Sequence, residues 1–357
     1  MIGSLFLIKD FRGLAYQTAT NFLSILVCHP ILDRLGFLHV CFQLKKSICG
    51  YLSVLNLLAT KMNTIINLDI VQTIFLSLVQ SVGLTKDEIM SERDENAQYC
   101  WFIDQDVSMN STFCQDLRAL VSLVEFFNRS RVSGDDVTAC CALMRAGFDA
   151  LRLSRLFKDI CSDVDKVLCR DKRFSWPSLP EGYQIPQHFV TAGAEAMTRL
   201  NCRDEATGRD GLMLWKSATR EIEVMEKDRI DAIMKTLIEM AEGIGGTREE
   251  MDKAKDENDH FEWSIDYNSS LGDRLERYLD QLLLSVEVHR IATHKNDQLA
   301  AYQALKDVGT HARSISELFG DIKADVHKVS IFDERFAWPE IPDDYRFPEH
   351  LVMSGGC

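Results

Sequence analysis

The chain has 357 residues, 46% of them apolar and 26% charged, with a net charge of -14 and a pI near 5.1. That length exceeds one ordinary hydrophobic core and suits two domains. So acidic a surface repels phosphate backbones, which excludes generic nucleic-acid binding, and it also repels anionic lipid headgroups outside any local basic patch.

Residues 1–61 form an apolar N-terminal extension, with Asp10 and Asp33 their only acids. Two runs, residues 21–44 and 47–59, resemble membrane helices, but His29, Pro30, Asp33 and Arg34 interrupt the first. The second is too short to span a bilayer. A signal peptide fits poorly because acidic Asp10 precedes the apolar part. Three readings of this segment stand side by side: extra helices packed on the first helical module, a membrane-associating hairpin, or a segment outside the mature protein with Met62 as the start.

From residue 62 the hydrophobic spacing turns helical. A first helix is predicted from about Ile65 to Val82, stopped by Gly83 as C-cap. Thr85 then caps a second helix with Glu88 at the capping-box position, and that helix is expected to run to about Asp104. A polar loop follows, then a third helix over about Thr112 to Asn128 and a long fourth over about Asp135 to Leu168. The segment after it carries Phe174, Trp176, Pro177, Pro180, Tyr183 and Pro186. Three prolines prevent a helix there, and the aromatic area is too large to leave in water. Packing back across its own helices is therefore expected, in preference to a ligand motif for an aromatic-groove domain.

Residues 191–229 read as a linker, with Gly208 and Gly211 followed by one continuous helix from about Met213 to Ala241. After it the first pattern returns. At a fixed offset of 162 residues, Ser154–Val190 and Ser316–Val352 share 19 of 37 positions. Average residue usage would give about two. The match extends upstream through Trp101 with Trp263 and through Thr85 with Thr247, and four of the five tryptophans fall in pairs. Six of the seven prolines lie in the two proline-aromatic segments, so the stretches before them are free of helix breakers.

The predicted fold is all-α: two tandem homologous helical-bundle modules at residues 62–190 and 230–352, packed pseudo-symmetrically. Each ends in an extended proline-aromatic strap, and residues 353–357 form a short tail.

Candidate binding residues are the paired polar positions Asp94, Glu95, Asn96 and Asp104 with Asp256, Glu257, Asn258 and Asp266, and the paired His188 and His350. Carboxylates of this kind could hold a hard cation. If the first three lie on a helix, however, they point in different directions and cannot converge. Solvation, capping or an ion pair is then the expected role. Glu257 and His260 match the E-x-x-H spacing of di-iron bundles, but Glu95 and Gln98 replace them in the first copy, so no metal is expected. The two histidines are expected to be hydrogen-bonded structural residues at the ends of packed tails.

No catalytic motif appears and no cofactor is expected. The eleven cysteines form no C-x-x-C pair and read as buried thiols in a cytoplasmic or other reducing compartment. The expected function is a non-enzymatic interaction or scaffold protein with a protein partner. Two alternatives are a membrane-associated protein inserting residues 1–61, and an enzyme with a site between the modules. Trp101, Phe157 and Trp176 are expected in the core.

Overall fold

A computed structural model describes residues 67–202, 213–251 and 263–348, all within one compact unit of the chain, residues 63–357. The expectations for residues 1–61 lie outside the described residues. The described chain is predominantly helical, and its only extended pairing is an isolated bridge between Arg93 and Tyr99.

α1 (Asp69–Ser81) buries Val71, Ile74, Phe75, Leu78 and Val79, the three- and four-residue steps of one helix face. Gly83 (φ +83°) then reverses the chain. α2 (Lys86–Ser91) opens on the predicted capping box: Glu88 N–H donates to the Thr85 hydroxyl, and Thr85 N–H donates to the Glu88 carboxylate at 2.7 Å. Its predicted extension to Asp104 is not observed. Glu92 is extended, and Asp94 Oδ1 accepts N–H bonds from Asn96 and Gln98, closing a turn in which Ala97 sits at φ +60°. An aspartate that bonds the backbone just ahead of it favours a turn over a helix.

α3 (Met109–Ser133) is longer than predicted at both ends, capped by Ser108 and stopped at Gly134. α4 (Asp136–Asp165) starts at the cap Asp135 and relaxes into a π-helical turn, residues 166–170. Then come residues 171–186 without helix and α5 (Gln187–Cys202), which runs through residue 190. α6 (Met213–Gly243) is the continuous helix predicted for the linker and beyond. α7 (Arg248–Met251) is brief. At its start, Thr247 and Glu250 repeat the reciprocal capping bonds of Thr85 and Glu88. α8 (Leu271–His294) and α9 (Gln298–His327) form the second long hairpin, capped by Ser270 and Asp297. A second π-helical turn, residues 328–332, follows.

α4 and α9 pack along each other and carry most of the core between the two hairpins. Ser154 Oγ donates to the Ser316 carbonyl at 2.8 Å and Ser316 Oγ donates to the Ser154 carbonyl at 2.9 Å. Beside them the rings of Phe157 and Phe319 stack at 6.4 Å, both fully buried. Two glycines allow this approach. A Cβ on Gly147 would lie 2.6 Å from the His327 ring, and one on Gly309 would lie 2.9 Å from Val164. Gly147 also faces Val326, so position rises along one helix as it falls along the other and the pair is antiparallel.

The antiparallel pairing places the C-terminal end of α4 beside the start of α9, and equally beside the start of its own partner α3, where Phe113 meets Phe157 edge-on at 5.7 Å. Trp176 first donates its indole N–H to the Val167 carbonyl of its own π-helical turn, at 3.0 Å. It then packs on Tyr302 of α9, while Phe189 and Ile185 join Val288, Ala292, Ala300, Ala301 and Ala304. Residues 333–348 do the converse. Trp338 bonds Val329 and packs on Phe127 of α3; Phe347 meets Phe126 edge-on at 5.7 Å; Tyr345 and Thr138 share a 2.8 Å hydroxyl bond. The expectation that each segment crosses its own helices is thus corrected: each crosses the other hairpin. Trp101 and Phe157 are buried as expected, whereas Trp176 is only half-buried.

Candidate functional site

Among the described residues, the predicted site residues do not come together. Asp94 spends its carboxylate on the turn described above, Glu95 and Asn96 are exposed at its tip, and Asp104 accepts the N–H of Asp106. The helical placement assumed for the first three is therefore wrong, because the turn replaces the helix. Asp266 accepts from Ser269 Oγ at 2.6 Å and from Asn268 N–H, which holds its carboxyl below the usual carboxylate range. His188 stands exposed in the first turn of α5, its ring against Phe189 at 4.2 Å. Asp256, Glu257, Asn258 and His350 lie outside the described residues. Among the described residues no group of three His, Cys, Asp or Glu side chains could hold a metal ion.

Sequence reasoning passed over the most strongly engaged acids, Asp163 and Asp325. Asp163 accepts N–H bonds from Phe102 and Ile103 at 3.0 and 2.9 Å. Asp325 accepts from Ser264 and Ile265 and from the Tyr267 hydroxyl at 2.8 Å. Each carboxylate thereby ties an irregular segment to a long helix. Burial pushes the Asp163 carboxyl up to about 7, against the pull of its two N–H donors, and pushes Asp325 up as well. Burial likewise keeps the Tyr267 phenol neutral. A signal was present: Asp163 sits on the same stripe as Ile160, Val164 and Val167. An acid on an apolar stripe must be bonded inside the fold.

Glu92 organises a second cluster. It accepts the Trp101 indole N–H at 2.6 Å and an Arg173 N–H at 3.0 Å, while Lys166 lies over the Trp101 ring at 5.0 Å. Trp263, Lys328 and Arg335 stand 162 residues on, and the residue matching Glu92 in sequence is Ala254, outside the described residues. Lys328 covers the Trp263 ring at 4.9 Å and Arg335 forks onto Asp333. Together with Phe332 they line a half-open recess of about 390 Å³. Such walls offer cation–π and ion-pair contacts.

Next to this recess lies an exposed apolar cluster. Phe148 of α4 is 53% exposed and Phe332 57%, with Ile331 at 49%. The two phenylalanines flank the buried His327, edge-on at 5.9 and 6.3 Å. His327 Nε2 has no hydrogen-bond partner, and burial lowers the pKa of its ring. The thiols of Cys140 and Cys161 are raised to about 11 by burial, so both stay protonated and unreactive near neutral pH.

No match decides the family. Neither a protein-family model, nor a curated protein, nor a solved structure matches the chain. Among the described residues, no helix is long and apolar enough to cross a membrane.

Proposed function

We propose that this is a non-enzymatic interaction protein, built from two copies of one helical module that pair about a local two-fold axis and exchange proline-aromatic straps. Support for the pairing comes from reciprocity: Ser154 with Ser316, Phe157 with Phe319, and Gly147 and Gly309 each beneath a residue of the opposite helix. Asp163, Asp325 and Tyr267 tie loops to helices, so their chemistry serves the fold.

The observation that carries the functional reading is the exposed cluster of Phe148, Ile331 and Phe332 on a chain of net charge -14. Large apolar side chains grouped at a surface mark a docking face. The net negative charge of the chain favours approach of a protein partner that is basic overall, and the cluster takes that partner's apolar side chains. Cross-linking affinity capture from cells expressing the chain, comparing wild type with Phe148→Ser/Phe332→Ser, tests it. A defined protein lost from the variant, with circular dichroism unchanged, is the expected result. An identical captured set, or turnover of a substrate abolished by one polar substitution, overturns the reading.

A further inference from the structure

The two proline-aromatic straps are already ligands. Each hairpin holds an extended segment that belongs to the opposite half of the molecule, and the segments share the pattern Trp-Pro-x-aliphatic-Pro-x-x-Tyr. The α3–α4 groove meets its strap at three anchors. Trp338 lies against Phe127, Tyr345 bonds the Thr138 hydroxyl, and Phe347 is held between Phe126 and Arg145, whose guanidinium lies 4.3 Å from its ring centre. Between these anchors the strap is exposed: Pro339, Glu340, Pro342, Asp343 and Asp344 face solvent. Few backbone contacts hold a segment of this kind, while its prolines keep it extended before it binds. The first strap continues into α5, where Gly193 sits against Leu284 and Val288 of α8.

We propose that the α3–α4 groove is a receptor for proline-aromatic peptides of this pattern from other proteins, and that residues 333–348 are its built-in competitor. The proposal rests on the interaction reading above and names a class of partner for it. A strap tethered in cis acts at an effective concentration on the order of millimolar. Against a peptide affinity on the order of 10 µM, the strap weakens apparent binding in trans about 100-fold. An arriving partner must therefore carry the same three anchors, or meet a strap already loosened.

A fluorescent peptide of residues 333–348, titrated into the full-length protein and followed by anisotropy, tests this. Three proteins are compared: wild type, Tyr345→Phe, which removes only the hydroxyl bonded to Thr138, and Tyr345→Ala/Phe347→Ala. The expected result is graded, with weakest binding by wild type, a gain of several-fold in Tyr345→Phe, and a gain approaching 100-fold in the double variant. Phe126→Ala added to the Tyr345→Ala/Phe347→Ala background, where the strap no longer competes, should weaken peptide binding, and a peptide lacking its Trp, Tyr and Phe anchors should not bind. Equal affinity across the folded variants, or none, overturns the proposal. Should the double variant not fold, the comparison of wild type with Tyr345→Phe decides alone. Failure here with capture still dependent on Phe148 and Phe332 sinks the groove and leaves the interaction reading standing.

Discussion

Ser154 and Ser316 exchange hydrogen bonds: each hydroxyl donates to the other's backbone carbonyl, at 2.8 and 2.9 Å. A side chain that bonds the facing helix's backbone requires the two helices to run unusually close, and the glycines on either side show how that is met. Replacing either glycine tests it. Gly309→Ala places a methyl 2.9 Å from Val164, and Gly309→Leu cannot be accommodated without parting the helices. Overpacking of this kind costs about 1–3 kcal/mol for the smaller change. Chemical denaturation should show a lowered midpoint for Gly309→Ala and a larger loss for Gly309→Leu; unchanged midpoints would refute the close approach.

Phe157 and Trp176 separate full from partial burial. Phe157 is 0% exposed, so Phe157→Ala should destabilise by about 3–5 kcal/mol. Trp176 is half-buried, and roughly 2 kcal/mol is the scaled expectation for Trp176→Ala. If the two variants melt alike, the strap packs more deeply than its geometry indicates.

Carboxyls and histidines pull the pH dependence in opposite directions. Asp149, Asp159 and Asp321 are raised to about 6 and Asp163 to about 7, chiefly by burial. Between about 4 and 7 the folded state then binds more protons than the unfolded state, so stability falls as pH rises through that window. Burial lowers His289, His311 and His327, so each loses stability as pH drops below the ordinary histidine range. Asp163→Asn removes one group from the first set. Its stability profile should be flatter between pH 4 and 7 than that of wild type, and a parallel profile would show that Asp163 stays ionised when folded.

Glu92 joins Trp101, Arg173 and Lys166, although its side chain is 31% exposed and partly screened. Glu92→Gln keeps the shape and removes the charge, and a loss of about 1 kcal/mol is expected. A double-mutant cycle with Arg173→Ala measures the coupling directly; additivity would mean that the ion pair contributes nothing to folding.

Much of the local structure was legible in the residues. Thr85 with Glu88 announced a capping box because three-residue spacing alone brings those groups together, and the same holds at Thr247 and Glu250. Gly83 stops the first helix for a reason internal to the backbone. The second helix was misread because helix propensity favoured continuation past Ser91, whereas the Asp94 carboxylate offered the backbone a competing partner. Asp163 and Asp325 were missed because their donors lie about 60 residues away in sequence. The Phe148–Phe332 cluster was illegible for the same reason, its members coming from α4 and the π-helical turn after α9.

By itself the sequence determined the helical class, the caps, the offset of 162 residues and the proline-aromatic character of residues 174–186 and 336–348, since each follows from neighbours along the chain or from residue identity. Only the tertiary structure decided which hairpin each strap crosses. Both hairpins present an apolar groove of suitable chemistry, so composition could not choose between them. The choice is visible only in the packed contacts, Trp176 on Tyr302 and Trp338 on Phe127, which join residues far apart in sequence.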